Sequence, residues 1–224
     1  SDIEEMEWIA EIAQKYNLWI LSDEAYFKIY YSGKSRSIAS LQGMQDRTII
    51  LYTFSKTYAM TGWRLGAAIG PEAVMKIFDK LSVNDESCTN HFIQYAGIEA
   101  LTGDQSERRK ILLRLKKRRD LLSRNLNEIE GVGVYVPNST FYLFPDVTDI
   151  YQAMNAVSYE DFRSKVLRET GVSFCTREHF GTADDNEQRK YIRFAYSGID
   201  TEKIQEGMNK LKSYWKSFES AKFI

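Results

Sequence analysis

Cysteine, charge imbalance and long apolar runs are all scarce in this chain of 224 residues. Its two cysteines, Cys88 and Cys175, lie far apart and without metal-ligand spacing. A disulfide framework or thiolate metal centre is therefore not expected, and both read as reduced thiols of a cytoplasmic protein. Thirty lysines and arginines face 31 aspartates and glutamates, a net charge of −1. That balance argues against a nucleic-acid partner or an anionic membrane surface. No segment reaches the length of a membrane span, and no basic start followed by an apolar core marks a secretory leader. Internal repeats and low-complexity tracts are also missing. What is present is 43% hydrophobic residues, enough for one large domain or two small ones with real cores.

In chain order, Ser1 and Glu4 have capping-box spacing, and Ile3, Met6, Ile9, Ala10, Ala13 and Tyr16 recur at helical steps. A chain opening directly on a helix cap suggests a preceding segment. Leu18–Leu21 reads as a buried strand ending in Ser22-Asp23-Glu24-Ala25-Tyr26, and residues 27–47 as a surface excursion. Thr48–Tyr52 is an apolar, β-branched run that reads as a strand buried on both faces. Gly66–Gly70 is a strand of small residues. Pro71 opens a helix reaching about Leu81; a loop over 84–90 precedes another helix. A boundary is drawn near Gly103, separating a partial large domain (1–103) from a smaller carboxyl-terminal one (104–224).

Past that boundary the spacing predicts a long helix over 105–130, with Ile111, Leu112, Leu115, Leu122 and Leu126 on one face and Gly131 at its carboxyl-terminal cap. Its basic runs, Arg108-Arg109-Lys110 and Lys116-Lys117-Arg118-Arg119, read as a solvated face. The period then changes to two. Val132–Val136 and Phe141–Phe144 read as strands around a turn at 137–139, followed by a helix between Ser158 and Gly171. Val172–Cys175 and Tyr191–Tyr196 are further strands, and Asp200 opens a last helix carrying Ile204, Met208, Leu211, Trp215 and Phe218.

Chemistry-bearing residues gather at two predicted strand ends. Asp23 closes the first strand. Lys56 follows the second, with Thr53 and Ser55 before it and Arg64 eight residues after it. Ligands of open α/β sheets bind at that carboxyl edge. A lone lysine there can form a Schiff base with an aldehyde, while an arginine and hydroxyls can hold a phosphate dianion. Asp23 can keep a pyridine nitrogen protonated and Tyr26 can hydrogen-bond a phenolic oxygen. Each residue also has an ordinary reading: a turn aspartate, a packing tyrosine, a surface lysine.

Four segments in order carry a resemblance: Ser-Asp-Glu-Ala-Tyr (22–26), Thr-Phe-Ser-Lys-Thr-Tyr-Ala-Met-Thr-Gly-Trp-Arg-Leu-Gly (53–66), Thr-Phe-Tyr-Leu-Phe-Pro (140–145) and Tyr-Ile-Arg-Phe-Ala-Tyr (191–196). Together they resemble the class I/II aminotransferases, pyridoxal 5′-phosphate enzymes of fold type I. The resemblance implies an α/β large-domain sheet plus an α+β small domain. It also implies transfer of an amino group between an amino acid and a 2-oxo acid, and a homodimer. By position it makes Lys56 the Schiff-base lysine and Asp23 the partner of the pyridine nitrogen. Tyr26 then serves the phenolic oxygen, Thr53 and Arg64 the phosphate, and Arg193 the substrate α-carboxylate. A guanidinium fork suits that last role on its own chemistry.

Three departures stand out. Ser139 occupies the position of a usual glycine. Cys175-Thr176-Arg177-Glu178-His179-Phe180-Gly181 replaces a segment usually rich in proline and glycine, leaving Arg177 and His179 either site or surface residues. Family members also run to roughly twice this length. The resemblance thus implies a carboxyl-terminal portion, inactive alone, lacking the half that supplies the rest of the phosphate cup and a stacking aromatic. The same scaffold also supports carbon–sulfur elimination, decarboxylation and cyclopropane formation, and it serves as a sensor domain in some transcription regulators.

Overall fold

The first helix, α1 (Ile3–Lys15), buries Met6, Ala10 and Ala13, residues three and four apart that share one face. The computed structural model describes residues 3–184 and 186–219, so the proposed Ser1 cap lies outside the described residues. Asn17 at φ +50° turns the chain out of α1, and the Leu18 N–H donates to the Ala13 carbonyl at 2.8 Å. That closure uses Leu18 to end the helix. Strand β1 consequently runs Ile20–Asp23 and not from Leu18.

The chain divides into two units, one extending to Lys110 and the other beginning at Ile111. In the first, β1 pairs in parallel with β2 (Thr48–Thr53), and β2 pairs antiparallel with β3 (Gly66–Ile69). A one-turn helix, α2 (Phe54–Thr57), follows β2 directly. Helices α3 (Glu72–Asp85) and α4 (His91–Thr102) complete the unit. Pro71 stands just before α3 as its N-cap residue, one position earlier than expected.

Two expectations for this unit are corrected. The segment 27–47 is not merely a surface excursion. Ile38 and Met44, the latter fully buried, join Met6, Ala10 and Ala13 in a small core. Each sits in or beside a short 3-10 turn, where isolated apolar residues leave no periodic signal. The strands are also not buried on both faces. Leu21 is 66% exposed, Leu51 and Ile69 are exposed, and every residue of β3 faces open space. Composition registers what a sheet face prefers, whereas burial needs a layer against it.

The second unit takes the larger part of α5 (Ser106–Asn127) and builds an antiparallel sheet in the order β4 (Tyr142–Leu143), β6 (Ile192–Ala195), β5 (Cys175–Thr176). Around it lie α6 (Thr148–Ala153), α7 (Tyr159–Thr170) and α8 (Thr201–Glu219). Ser158 caps α7 by accepting from the Asp161 N–H at 3.1 Å, and Gly171 ends it at φ +72°, as its position implies. Leu115, Leu122 and Leu126 of α5, Phe162 and Val166 of α7, and Ile204, Met208, Leu211 and Trp215 of α8 are buried with Leu143, Ile192 and Phe194. Phe162 stacks near-parallel on Trp215, with ring centroids 6.2 Å apart.

Here too the structure differs in detail. Val132–Val136 forms no strand; only Gly133 makes an isolated bridge, to Asp146, and Tyr135 is 77% exposed. Alternation without a partner backbone does not make a strand. The basic run of α5 is not wholly solvated either. Arg119 is buried, pairs with Asp120 at 2.7 Å and donates to the Pro137 carbonyl, while Arg118 donates to the Ser197 carbonyl at 2.6 Å. Both arginines tie α5 to loops of its own unit. Helix α6 left no trace in the apolar spacing because it is one short turn and a half.

Candidate active site

Strand topology decides where the chemistry gathers. β1 and β2 are parallel neighbours, with Asp23 level with Leu51, so both strands end on one edge. β3 is antiparallel and starts with Gly66 opposite Thr53, so the loop leading into it also closes at that edge. Asp23, Tyr26, Thr53, Lys56 and Arg64 therefore belong to one end of one sheet.

Local hydrogen bonds shape each part. Asp23 Oδ1 accepts from the Ala25 N–H at 3.1 Å, and the Glu24 N–H donates to the Leu51 carbonyl at 2.9 Å. The second bond fastens the turn after β1 to β2. Glu24 accepts from the hydroxyls of Ser22 and Ser37, which ties the turn that carries the half-buried Tyr26 to the segment around Ser37. At the end of β2, Thr53 stays extended at φ −127°, ψ 140° and its Oγ1 accepts from the Ser55 N–H at 3.2 Å. That cap starts the single turn that carries Lys56. Phe54, buried below it, meets the rings of Tyr52 at 5.4 Å and Tyr58 at 5.8 Å. Burial raises the pKa of Tyr52.

The loop from Tyr58 to Leu65 is folded back on this turn. The Phe54 N–H donates to the Leu65 carbonyl at 3.2 Å, and Thr61 Oγ1 to the Ser55 carbonyl at 3.4 Å. Helix α4 braces it closely: a Cβ at Gly97 would lie 2.7 Å from Leu65 Cδ2 and 3.7 Å from the Phe54 ring. Arg64 itself is left-handed, at φ +53°, ψ +48°, and exposed; its Nη1 donates to the Thr61 carbonyl at 3.0 Å. Ala59 is also left-handed, at φ +55°. Each such non-glycine residue costs roughly 1–2 kcal/mol, and strain of this kind clusters in functional segments. A cavity of about 400 Å³ opens beside Arg64, bounded by Trp63, Glu86, Cys88 and Asn90. Asp23 and Lys56 are not among its lining residues.

Arg193 lies on β6 in the second unit, opposite Cys175. Its guanidinium carbon sits 4.3 Å from the Tyr142 ring centroid and 4.4 Å from that of Phe180. Its Nη2 approaches Cys175 Sγ at 3.8 Å, and its buried Nε has no hydrogen-bond partner among the described residues. Arg177 and His179 turn into their own loop. Arg177 pairs with Glu187 at 2.9 Å and donates to the Gly181 and Thr182 carbonyls, while His179 Nδ1 meets the Thr176 N–H at 3.2 Å. Tyr142 and Phe180 carry no sequence signal of this role. Phe180 reaches Arg193 from a 3-10 turn (Arg177–Phe180) that period-two reading does not detect.

The model of the class I and II aminotransferase family matches residues 1–211. The chain belongs to that family. Among curated relatives of this aminotransferase chain, the aromatic-amino-acid aminotransferase 2 of Thermococcus litoralis is 36% identical over 215 residues, covering 95% of this chain and 52% of the relative. An aspartate aminotransferase of Sulfurisphaera tokodaii is 31% identical over 210 residues, or 94% and 51% of the two chains. The solved aromatic aminotransferase of Pyrococcus horikoshii superposes with a TM-score of 0.87 at 32% identity, covering 98% of this chain and 57% of that one. The chain thus spans about half the length of the curated relatives it matches. The mixed α/β architecture is that of the corresponding part of a fold-type-I aminotransferase. No helix among the described residues is long and apolar enough to cross a membrane, and no cluster among them has the makings of a metal site.

Proposed function

We propose that this chain contributes the lysine-bearing part of a pyridoxal 5′-phosphate-dependent aminotransferase, moving an amino group between an amino acid and a 2-oxo acid. The observation that carries the reading is the shared strand edge: parallel β1 and β2 end together, with Asp23 on one and Lys56 just past the other, and Arg64 on the loop entering β3. The donor set suits the cofactor. A carboxylate faces a pyridinium, a cation and hydroxyl face a phosphate dianion, and an amine faces an aldehyde. When bound, the cofactor supplies the aldehyde that carries the amino group and a ring that takes up the electron pair of the substrate α-carbon. Lys56 would hold it, and the same amine, when free, would take the substrate α-proton and return it. Asp23 keeps the ring nitrogen protonated, Tyr26 hydrogen-bonds the phenolic oxygen, Thr53 and Arg64 grip the phosphate, and Arg193 takes the substrate carboxylate.

Because the relatives are about twice as long, the activity belongs to a whole protein whose remaining length completes the site, working as a homodimer in the cytoplasm. The two free thiols, Cys88 and Cys175, suit a reducing compartment. Incubation with pyridoxal 5′-phosphate, borohydride reduction and peptide mapping test the assignment directly: the mass increment falls on Lys56 and is absent in Lys56→Ala. In the whole protein the same substitution lowers amino-group exchange with 2-oxoglutarate by roughly 10²–10⁴-fold. Labelling of another lysine in place of Lys56 would refute the reading.

A further inference from the structure

The Arg193 guanidinium carbon lies over two aromatic rings, 4.3 Å from the Tyr142 centroid and 4.4 Å from that of Phe180. The register accounts for the first contact. Tyr142 pairs with Ala195, two residues beyond Arg193, so Tyr142 and Arg193 are diagonal neighbours on the same sheet face. The second contact comes from the 3-10 turn after β5, and that turn is tied down. His179 bonds back to Thr176, and Arg177 clasps the Gly181 and Thr182 carbonyls while paired with Glu187. Phe180 is also braced from outside by Phe144, edge-on at 5.9 Å, which stacks on Tyr191 at 5.5 Å. The Phe180 ring is thus held by its own turn and by Phe144.

The nitrogens of the guanidinium have poor acceptors: among the described residues Nη2 has a distant thiol sulfur, at 3.8 Å, and Nε is buried with no partner. A buried donor without an acceptor is costly, and a carboxylate approaching in plane would satisfy it with two parallel bonds. We propose that Tyr142 and Phe180 are positioning residues that clamp Arg193 between them, so that it offers a substrate carboxylate only its in-plane edge. The proposal rests on the reading of Arg193 as the carboxylate receptor. It also gives Arg177 and His179 an occupation: they hold the turn that presents Phe180.

The test follows the Arg193 Nε–H resonance of the 15N-labelled whole protein that carries this chain, assigned by its loss in Arg193→Lys, during titration with 2-oxoglutarate. In the free protein the signal is displaced by ring currents, and Phe180→Leu and Tyr142→Leu each remove about half of that displacement. 2-Oxoglutarate moves the signal, Phe180→Leu and Tyr142→Leu weaken its binding by about five- to tenfold, and Phe180→Trp restores it to within about twofold of the parent. A merely structural role would not discriminate aromatic from aliphatic replacements with an unchanged unfolding midpoint. A signal in the parent protein that 2-oxoglutarate does not move overturns the receptor reading and this proposal with it. Binding that persists undiminished in both leucine variants, or a free-protein signal without ring-current displacement, overturns the clamp alone.

Discussion

Two three-stranded sheets, one in each unit, meet opposite fates. In the second unit, α7 and α8 cover the sheet: Phe162, Val166, Leu211 and Trp215 are fully buried. In the first unit, β3 has no buried residue, α3 has none, and α4 has only Gly97. Ile77, Phe78, Leu81, Phe92, Ile98 and Leu101 of those two helices all stand exposed. Apolar exposure on this scale is what a covering surface removes. The open unit holds Lys56, Asp23 and Arg64, whereas the closed unit holds Arg193 beside the rings of Tyr142 and Phe180. The contrast separates two sources of order: a local lattice of caps and turn bonds shapes the Lys56 loop, and a packed core supports Arg193.

Stability measurements would break or sharpen this contrast. Trp215→Ala or Phe162→Ala in the closed unit costs about 3–5 kcal/mol, because truncation leaves a cavity among fully buried rings; the urea midpoint reads it. Met44→Ala, in the small core of the open unit, costs about 2–5 kcal/mol. Leu21→Ala on the exposed sheet face changes stability by no more than about 0.5 kcal/mol in this chain. In a protein of the relatives' length the same substitution costs about 2 kcal/mol or more if a further layer covers that face. Equal losses in both settings would mean that the face stays open.

Titration probes the closed unit from another side. Burial raises the pKa of Tyr159, whose hydroxyl accepts from the Tyr191 N–H at 3.0 Å. A raised pKa in the folded state means that its contribution is intact below the ordinary phenol value near ~10 and is lost as pH rises through the folded value. Tyr159→Phe should flatten that alkaline loss while lowering stability at neutral pH by about 1–3 kcal/mol through the stranded N–H. Asp161 has the opposite sign. Its hydrogen bond from Lys165 and then that from the Val157 N–H lower its pKa. Its contribution is present above the ordinary carboxylate value near ~3.9 and fades as pH falls through the folded value. Asp161→Asn should reduce the difference in urea midpoint between pH 5 and pH 2, and an unchanged difference would assign the acid sensitivity elsewhere.

Much of the candidate site was legible before any fold was known, since a lysine, an aspartate, an arginine and hydroxyls at strand ends have few joint purposes. What sequence could not supply was adjacency. That β1 and β2 are neighbours follows from backbone pairing, which spacing does not encode. The ring contacts of Arg193 were equally invisible, because Tyr142 arrives by register across a sheet and Phe180 from a short 3-10 turn. Several strand limits moved for a related reason: Leu18 was used to end a helix, and Val132–Val136 found no partner.

By itself, then, the sequence determined the long helices, the caps of α7 at Ser158 and Gly171, and the residue types of the candidate site. These rest on chemistry within a few residues of one another, where side-chain spacing and capping bonds act locally. Only the tertiary structure decided which strand ends share an edge, which apolar faces are covered and which rings lie against Arg193. Those depend on contacts between segments far apart in the chain, as with Tyr142 and Arg193, which meet across a sheet and share no local pattern.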